Sequence, residues 1–371
     1  MILNKKLNQK IAVIIAFGLL ISNSLFACTT FILHDSGNLV FGRNYDFNFG
    51  QGIIVINNRG VNKQAIVEAP YKPARWISKY GSITFNQAGI DAPMDGMNEK
   101  GLVIAQMGLE ESQYPEPNPE NVINQLEWIQ YQLDMSATLD EVIENNKKIS
   151  IVPVFIPIHY LVCDKYGNTG VIEFCQRELK VYKGKDIEMP VCSNVFYNQS
   201  VDKIKTYKEF GGEKSIPERD EDIVMNVVAT ATKMISDYKT QGLTNPVEYS
   251  FDILKAVGLE NRTQWSVVYD INNLTIRFKS LKNKEVRTID INQFNFTCDN
   301  SIQVLDIQES KSEPGIEKQF VEFSYYDYFN YKLEINKLYK ANFNGFPDIP
   351  DNYVKTEVEY TMNRKCNNVM K

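Results

Sequence analysis

A cysteine attacks as its thiolate, and an ordinary thiol needs a base or a nearby cation to reach that state at neutral pH. Cys28 has a route to both. Before it stand Lys5, Lys6 and Lys10, then an apolar run from Ile11 to Ile21 that ends in Ser22, Asn23 and Ser24. That is the make-up of a secretory leader. Cleavage after Ala27 would expose the α-amine of Cys28, with a pKa of about 7.7–8, within reach of its own sulfur. Further on lies Gly42-Arg43-Asn44-Tyr45-Asp46. If the intervening chain is a hairpin with its turn near Ser36, position 28 faces position 44 at cross-strand contact distance. Arg43 could then hold the thiolate by charge, while Asp46 accepts hydrogen bonds from the amine and orients it.

Competing uses of these residues are definite too. Cys28 could be the acylated cysteine of a lipoprotein, although Phe26 is bulky where a small residue is usual, and Leu25 is large for a leader site. Arg43 and Asp46 without Cys28 would be read as a surface ion pair. The two histidines, His34 in a turn and His159 in the apolar run Phe155–Cys163, read as structural. Cysteines 28, 163, 175, 192, 298 and 366 contain no C-x-x-C pair, which argues against zinc or iron–sulfur sites. Export would permit disulfides, but the spacing does not choose the pairs, and buried free thiols are the commoner fate. Neither a P-loop nor a dinucleotide-binding glycine turn is present.

The elements that must position this chemistry start with a strand at Cys28–Leu33, a turn at His34–Asn38 and a returning strand at Leu39–Phe41. Ile53–Ile56, Ile83–Phe85 and Gly101–Met107 add apolar strands. Between Asn121 and Leu133 apolar residues recur at helical spacing, and Thr138 with Glu141 forms a capping-box pattern for a second helix. A hairpin joins His159–Cys163 to Thr169–Phe174, a helix spans Ile223–Tyr238, and another hairpin spans Ser266–Phe278. Phe320–Tyr360 is aromatic, charged and irregular. The order β, α, β, α, β reads as α+β with a large antiparallel component. Residues 1–27 are read as the leader and 28–371 as one elaborated domain, with about 280–371 an extension packed on it.

Of 371 residues, 43% are hydrophobic and 12% aromatic, as in a globular protein. A net charge of −6 lacks the basic footprint of a nucleic-acid binder. The leader's apolar run is too short for a confident membrane span, so a soluble protein exported to the periplasm or medium is expected.

Cys28, Gly42-Arg43-Asn44-Tyr45-Asp46 and Asp95-Gly96-Met97-Asn98-Glu99-Lys100-Gly101-Leu102 together resemble the choloylglycine hydrolase family of N-terminal-nucleophile hydrolases, which includes bile-salt hydrolases and penicillin V acylases. The resemblance runs in order from Cys28 to about Phe278, and Arg287–Asp306 resembles a longer subgroup of linear amide C–N hydrolases. It implies a four-layer αββα sandwich. It also implies Cys28 as nucleophile and amine base, Arg43 as the thiolate-side arginine and Asp46 as the holder of the amine. Asn194, in Val191-Cys192-Ser193-Asn194, corresponds to the oxyanion-hole asparagine, and Arg219, in Ser215-Ile216-Pro217-Glu218-Arg219, to a later active-site arginine. One position departs: where characterised members carry Asn or Tyr, this chain has Gly108, and only a backbone N–H could contribute there. Asn98 reads as a turn residue.

The expected activity is hydrolysis of a small-molecule N-acyl amide through an acyl-thioester, with no metal or organic cofactor. An acyltransferase would differ only in the acceptor. The alternative from a different class is a lipid-anchored binding module acylated at Cys28. Acyl group, amine and any homo-oligomer are left open.

Overall fold

The computed structural model describes residues 27–35, 37–312 and 315–367; the expected leader up to Phe26, and Ser36, where the first turn was expected to centre, lie outside them. Two antiparallel sheets form the middle of the molecule. The first has six strands in the order Val191–Cys192, Thr29–His34, Leu39–Asp46, Thr263–Asp270, Thr275–Ser280, Arg287–Asp290. The second has nine: Glu178–Lys183, Thr169–Cys175, Ile158–Cys163, Val103–Gly108, Pro93–Asn98, Ser82–Asn86, Ile53–Asn57, Gln303–Asp306, Val321–Glu322. Several central strands, such as Leu39–Asp46, Ile53–Asn57 and Pro93–Asn98, are buried along their whole length. A strand covered on both faces loses the usual polar alternation.

Helices α1 (Trp128–Met135) and α2 (Leu139–Asn146) pack outside the nine-stranded sheet. Outside the six-stranded sheet, α3 (Tyr197–Ile204), α4 (Ile223–Gln241) and α5 (Pro246–Val257) form the opposite layer. The result is the αββα sandwich, with the principal core between the sheets and under α4 and α5. At its end come α6 (Tyr325–Asn342) and α7 (Asp351–Met362).

Two segments differ from the sequence reading. The helix expected from Asn121 starts only at Trp128, because Val122–Asn124 pairs in parallel with Ser150–Val152. Asn124 Oδ1 then accepts from the Leu126 and Glu127 amides, a local turn that delays the helix. Conversely, the irregular-looking Phe320–Tyr360 contains α6 and α7. A full capping box, Ser324 with Asp327, starts α6, and its aromatic residues face several neighbours and so blur the apolar stripe.

Candidate active site

The first hairpin pairs Thr29 with Asn44 and Thr30 with Arg43. Continuing that register sets position 28 against 45, one residue beyond the expected partner, because the pairing is centred half a residue later than expected. Alternation then separates the side chains. Arg43 and Tyr45 enter the space between the sheets, whereas Asn44 turns to α5, donating to Leu254 O at 2.7 Å. Cys28 stands at the end of the ladder, its Sγ 3.6 Å from Asp46 O. It opens on a cavity of about 60 Å³ that Arg43, Asp46, Gly108 and Asn194 also line. Ala27 is joined to Cys28, whose nitrogen is a peptide amide, and burial raises the thiol's pKa against the opposing charge of Arg43.

Arg43 is fully buried. Its ion-pair partner is Asp95, with Nε 3.6 Å from Oδ2, and its three nitrogens have no hydrogen-bond acceptor among the described residues. Asp95 in turn accepts from the Tyr269 hydroxyl. Burial lifts the Asp95 carboxyl to about 6 while Arg43 pulls it down. The sequence reading used Asp95 as the first letter of a motif and gave it no role; the structure makes it the arginine's counter-charge. Asn98, further along that motif, is the expected turn residue. Its Oδ1 accepts from the Lys100 and Leu102 amides, and Gly101 completes the turn at φ 78°.

Asp46 has one carboxylate oxygen satisfied by Thr263 Oγ1 at 2.5 Å, and Oδ2 has no hydrogen-bond partner among the described residues. Burial pushes its carboxyl up to about 7, against the Thr263 hydrogen bond and the charges of Arg43, Arg219 and Arg262. Arg219 is set back from the cavity. Its guanidinium donates to Gly258 O at 2.8 Å and to Ala256 O, covering carbonyls at the C-terminal end of α5, and it reaches Asp46 only through its field.

Asn194 Nδ2 donates to Gly108 O at 2.8 Å. A Cβ added at Gly108 would lie 3.1 Å from that nitrogen, so the glycine leaves room for the asparagine amide and its carbonyl holds it. Behind this pair lies a group the sequence reading set aside as structural. Ser193 Oγ donates to Cys28 O at 2.7 Å. Ser193 O is met by His159 Nε2 at 2.6 Å, and His159 Nδ1 meets Glu173 Oε1 at 2.9 Å. Ser193 O accepts, and Glu173 accepts when ionised, an arrangement that favours the imidazolium. Burial opposes that charge, but the neighbouring Cys192 sulfur and Glu173 prevail, and the histidine is pushed up to about 10. His159 thus clamps the backbone between the Cys28 carbonyl and Asn194. One cluster of metal-ligand type, Cys298, Asp299 and Cys366, has its two sulfurs joined in a disulfide.

The sandwich is shared with solved structures. Penicillin V acylase from Agrobacterium tumefaciens superposes with a TM-score of 0.68 at 22% identity, covering 80% of this chain and 98% of that one. A variant of conjugated bile acid hydrolase from Clostridium perfringens gives 0.64 at 19% identity, over 78% of this chain and 100% of that one. These hydrolases and this chain therefore share one fold, the four-layer αββα sandwich. Residues 28–235, more than half of the chain, match the model of linear amide C–N hydrolases, choloylglycine hydrolase family, and the chain belongs to that family of amide hydrolases. Penicillin V acylase from Pectobacterium atrosepticum is 24% identical over 262 residues, 60% of this chain and 69% of the relative.

Proposed function

We propose that this protein is an exported cysteine amidohydrolase that cleaves N-acyl amides of small molecules, with Cys28 as nucleophile once Ala27 is removed. The observation that carries the reading is the convergence of Cys28, Arg43, Asp46 and Asn194 on one cavity in a chain of an amide-hydrolase family. Export is supported by the leader-like segment and by the Cys298–Cys366 disulfide, since such bonds persist in oxidising compartments. Residues 28–371 act as one hydrolase unit in this reading.

Cleavage at Ala27 turns the buried Cys28 amide into an amine. Asp46 Oδ2, without a partner while the bond is intact, is the acceptor for it. Arg43, with its donors unspent, favours the thiolate, and Asp95 balances its charge. The Cys28 amine takes the thiol proton as sulfur attacks the carbonyl carbon. Oxyanion charge develops against the Asn194 amide, an interaction worth about 3–4 kcal/mol in comparable sites. The C–N bond breaks, the proton passes to the departing nitrogen, and the acyl group remains as a thioester. Water, deprotonated by the same amine, then adds and releases the carboxylic acid and the thiol. Arg219 stabilises ionised Asp46 from a distance; it is a positioning residue in this scheme.

Cys28→Ser tests the assignment, because a hydroxyl is far harder to ionise than a thiol. Turnover of N-acyl amides should fall by a factor on the order of 10³ or more, with the melting temperature unchanged. Turnover near that of the parent protein refutes the nucleophile.

A further inference from the structure

The cavity beside Cys28 is far smaller than the roughly 300–1,000 Å³ usual for ligand pockets, at about 60 Å³. Tyr339 of α6 is the lining residue that lies beyond the family-matched segment 28–235. Tyr339 packs on Phe47, Phe49 and Phe155 at ring-centroid distances of 5.9, 5.2 and 5.3 Å. Its neighbours Phe343 and Phe346 back it, and Phe155 reaches both. Gln87 Oε1 accepts from the hydroxyls of Tyr45 at 2.8 Å and Tyr339 at 3.3 Å, so one amide sets the distance between floor and roof.

The roof is fastened. Tyr331 donates to Gln87 O and Lys332 to Ala88 O, while Lys332 pairs with Glu357 at 2.8 Å and so ties α6 to α7. Past α7, buried Arg364 pairs with Asp91, and Cys366 is bonded to Cys298. A wall held this way has a fixed height. Among the two halves of an amide substrate, the acyl half stays on sulfur after the amine has left, so the space beside Cys28 belongs to it.

We propose that Tyr339 is a specificity-determining residue: the C-terminal helix bounds the acyl subsite and restricts this enzyme to short apolar acyl groups. The proposal rests on Cys28 as nucleophile, and its test reads Cys28 in two ways. The first is kcat/KM for butyryl and octanoyl p-nitroanilides in the parent protein and in Tyr339→Ala, Tyr339→Leu and Tyr339→Phe. The second is alkylation of Cys28 by iodoacetamide against N-hexyl iodoacetamide, read by mass, which needs no turnover. Trimming the ring in the Ala or Leu variant should raise the octanoyl-to-butyryl ratio and the hexyl-to-parent alkylation ratio about tenfold or more, as a pocket contact of several methylenes allows. Tyr339→Phe should leave both within about twofold. Ratios that stay unchanged in the Ala and Leu variants overturn the proposal. If no anilide is hydrolysed while Cys28 is alkylated, the alkylation ratio alone decides for or against the roof.

Discussion

Ser193 O and an ionised Glu173 both accept, so the contacts of His159 favour the charged ring. Its pKa in the fold, about 10, lies above the roughly 6.5 of an exposed histidine. A group shifted upward contributes stability that is complete below the unfolded value and is lost as pH rises through the folded one. The melting temperature of the parent protein relative to His159→Gln should therefore be highest below about pH 6.5 and decline toward pH 10. A difference that stays constant over that window would mean the ring is neutral. Nothing in the sequence around His159 signals this role, since its partners Glu173 and Ser193 become neighbours only through strand pairing and a loop. Cys28, Arg43 and Asp46 were legible because one short hairpin fixes their spacing. Asp95 was not, because it reaches Arg43 across the gap between two sheets.

The strand Val103–Gly108 ends where chemistry is expected to begin, and its last residue shows how an element's end can be tuned. Because a Cβ there would come within 3.1 Å of Asn194 Nδ2, Gly108→Ala should push the amide off the Gly108 carbonyl it now faces. We expect kcat to fall about tenfold or more, with the melting temperature within a few degrees of the parent. Parent-like kcat would remove Asn194 from the oxyanion site. Hairpins such as Ile158–Cys163 with Thr169–Cys175 were readable because apolar strands flank an Asp-Lys-Tyr-Gly-Asn turn. The start of α1 was not, since Val122 and Ile123 suit a helix and a short parallel pair equally. For α6 and α7 the obstacle was aromatic residues that pack in several directions, which period alone does not resolve.

At the scale of the whole molecule, α+β order follows from the sequence pattern, but sheet membership does not. Gln303–Asp306 lies against Ile53–Asn57, a pairing across some 250 residues that no local rule reaches. That strand, the Cys298–Cys366 disulfide and the Arg364–Asp91 pair draw the C-terminal segment onto the body of the enzyme and bring Tyr339 to Cys28. The same architecture buries Ala27 against the site, its carbonyl accepting from Thr29 Oγ1 at 3.2 Å, so that in the proposed reading processing and catalysis meet at one peptide bond. The account's central claim is that this bond is cut and that the new terminal cysteine carries the acyl group. Mass spectrometry of the exported protein, acid-quenched during turnover of an N-acyl amide, addresses it directly. We predict an N-terminal peptide that begins at Cys28 with an unmodified amine and gains the mass of the acyl group on sulfur. An active protein whose N-terminus retains Ala27, or whose turnover leaves Cys28 without acyl mass while another residue carries it, would contradict the account.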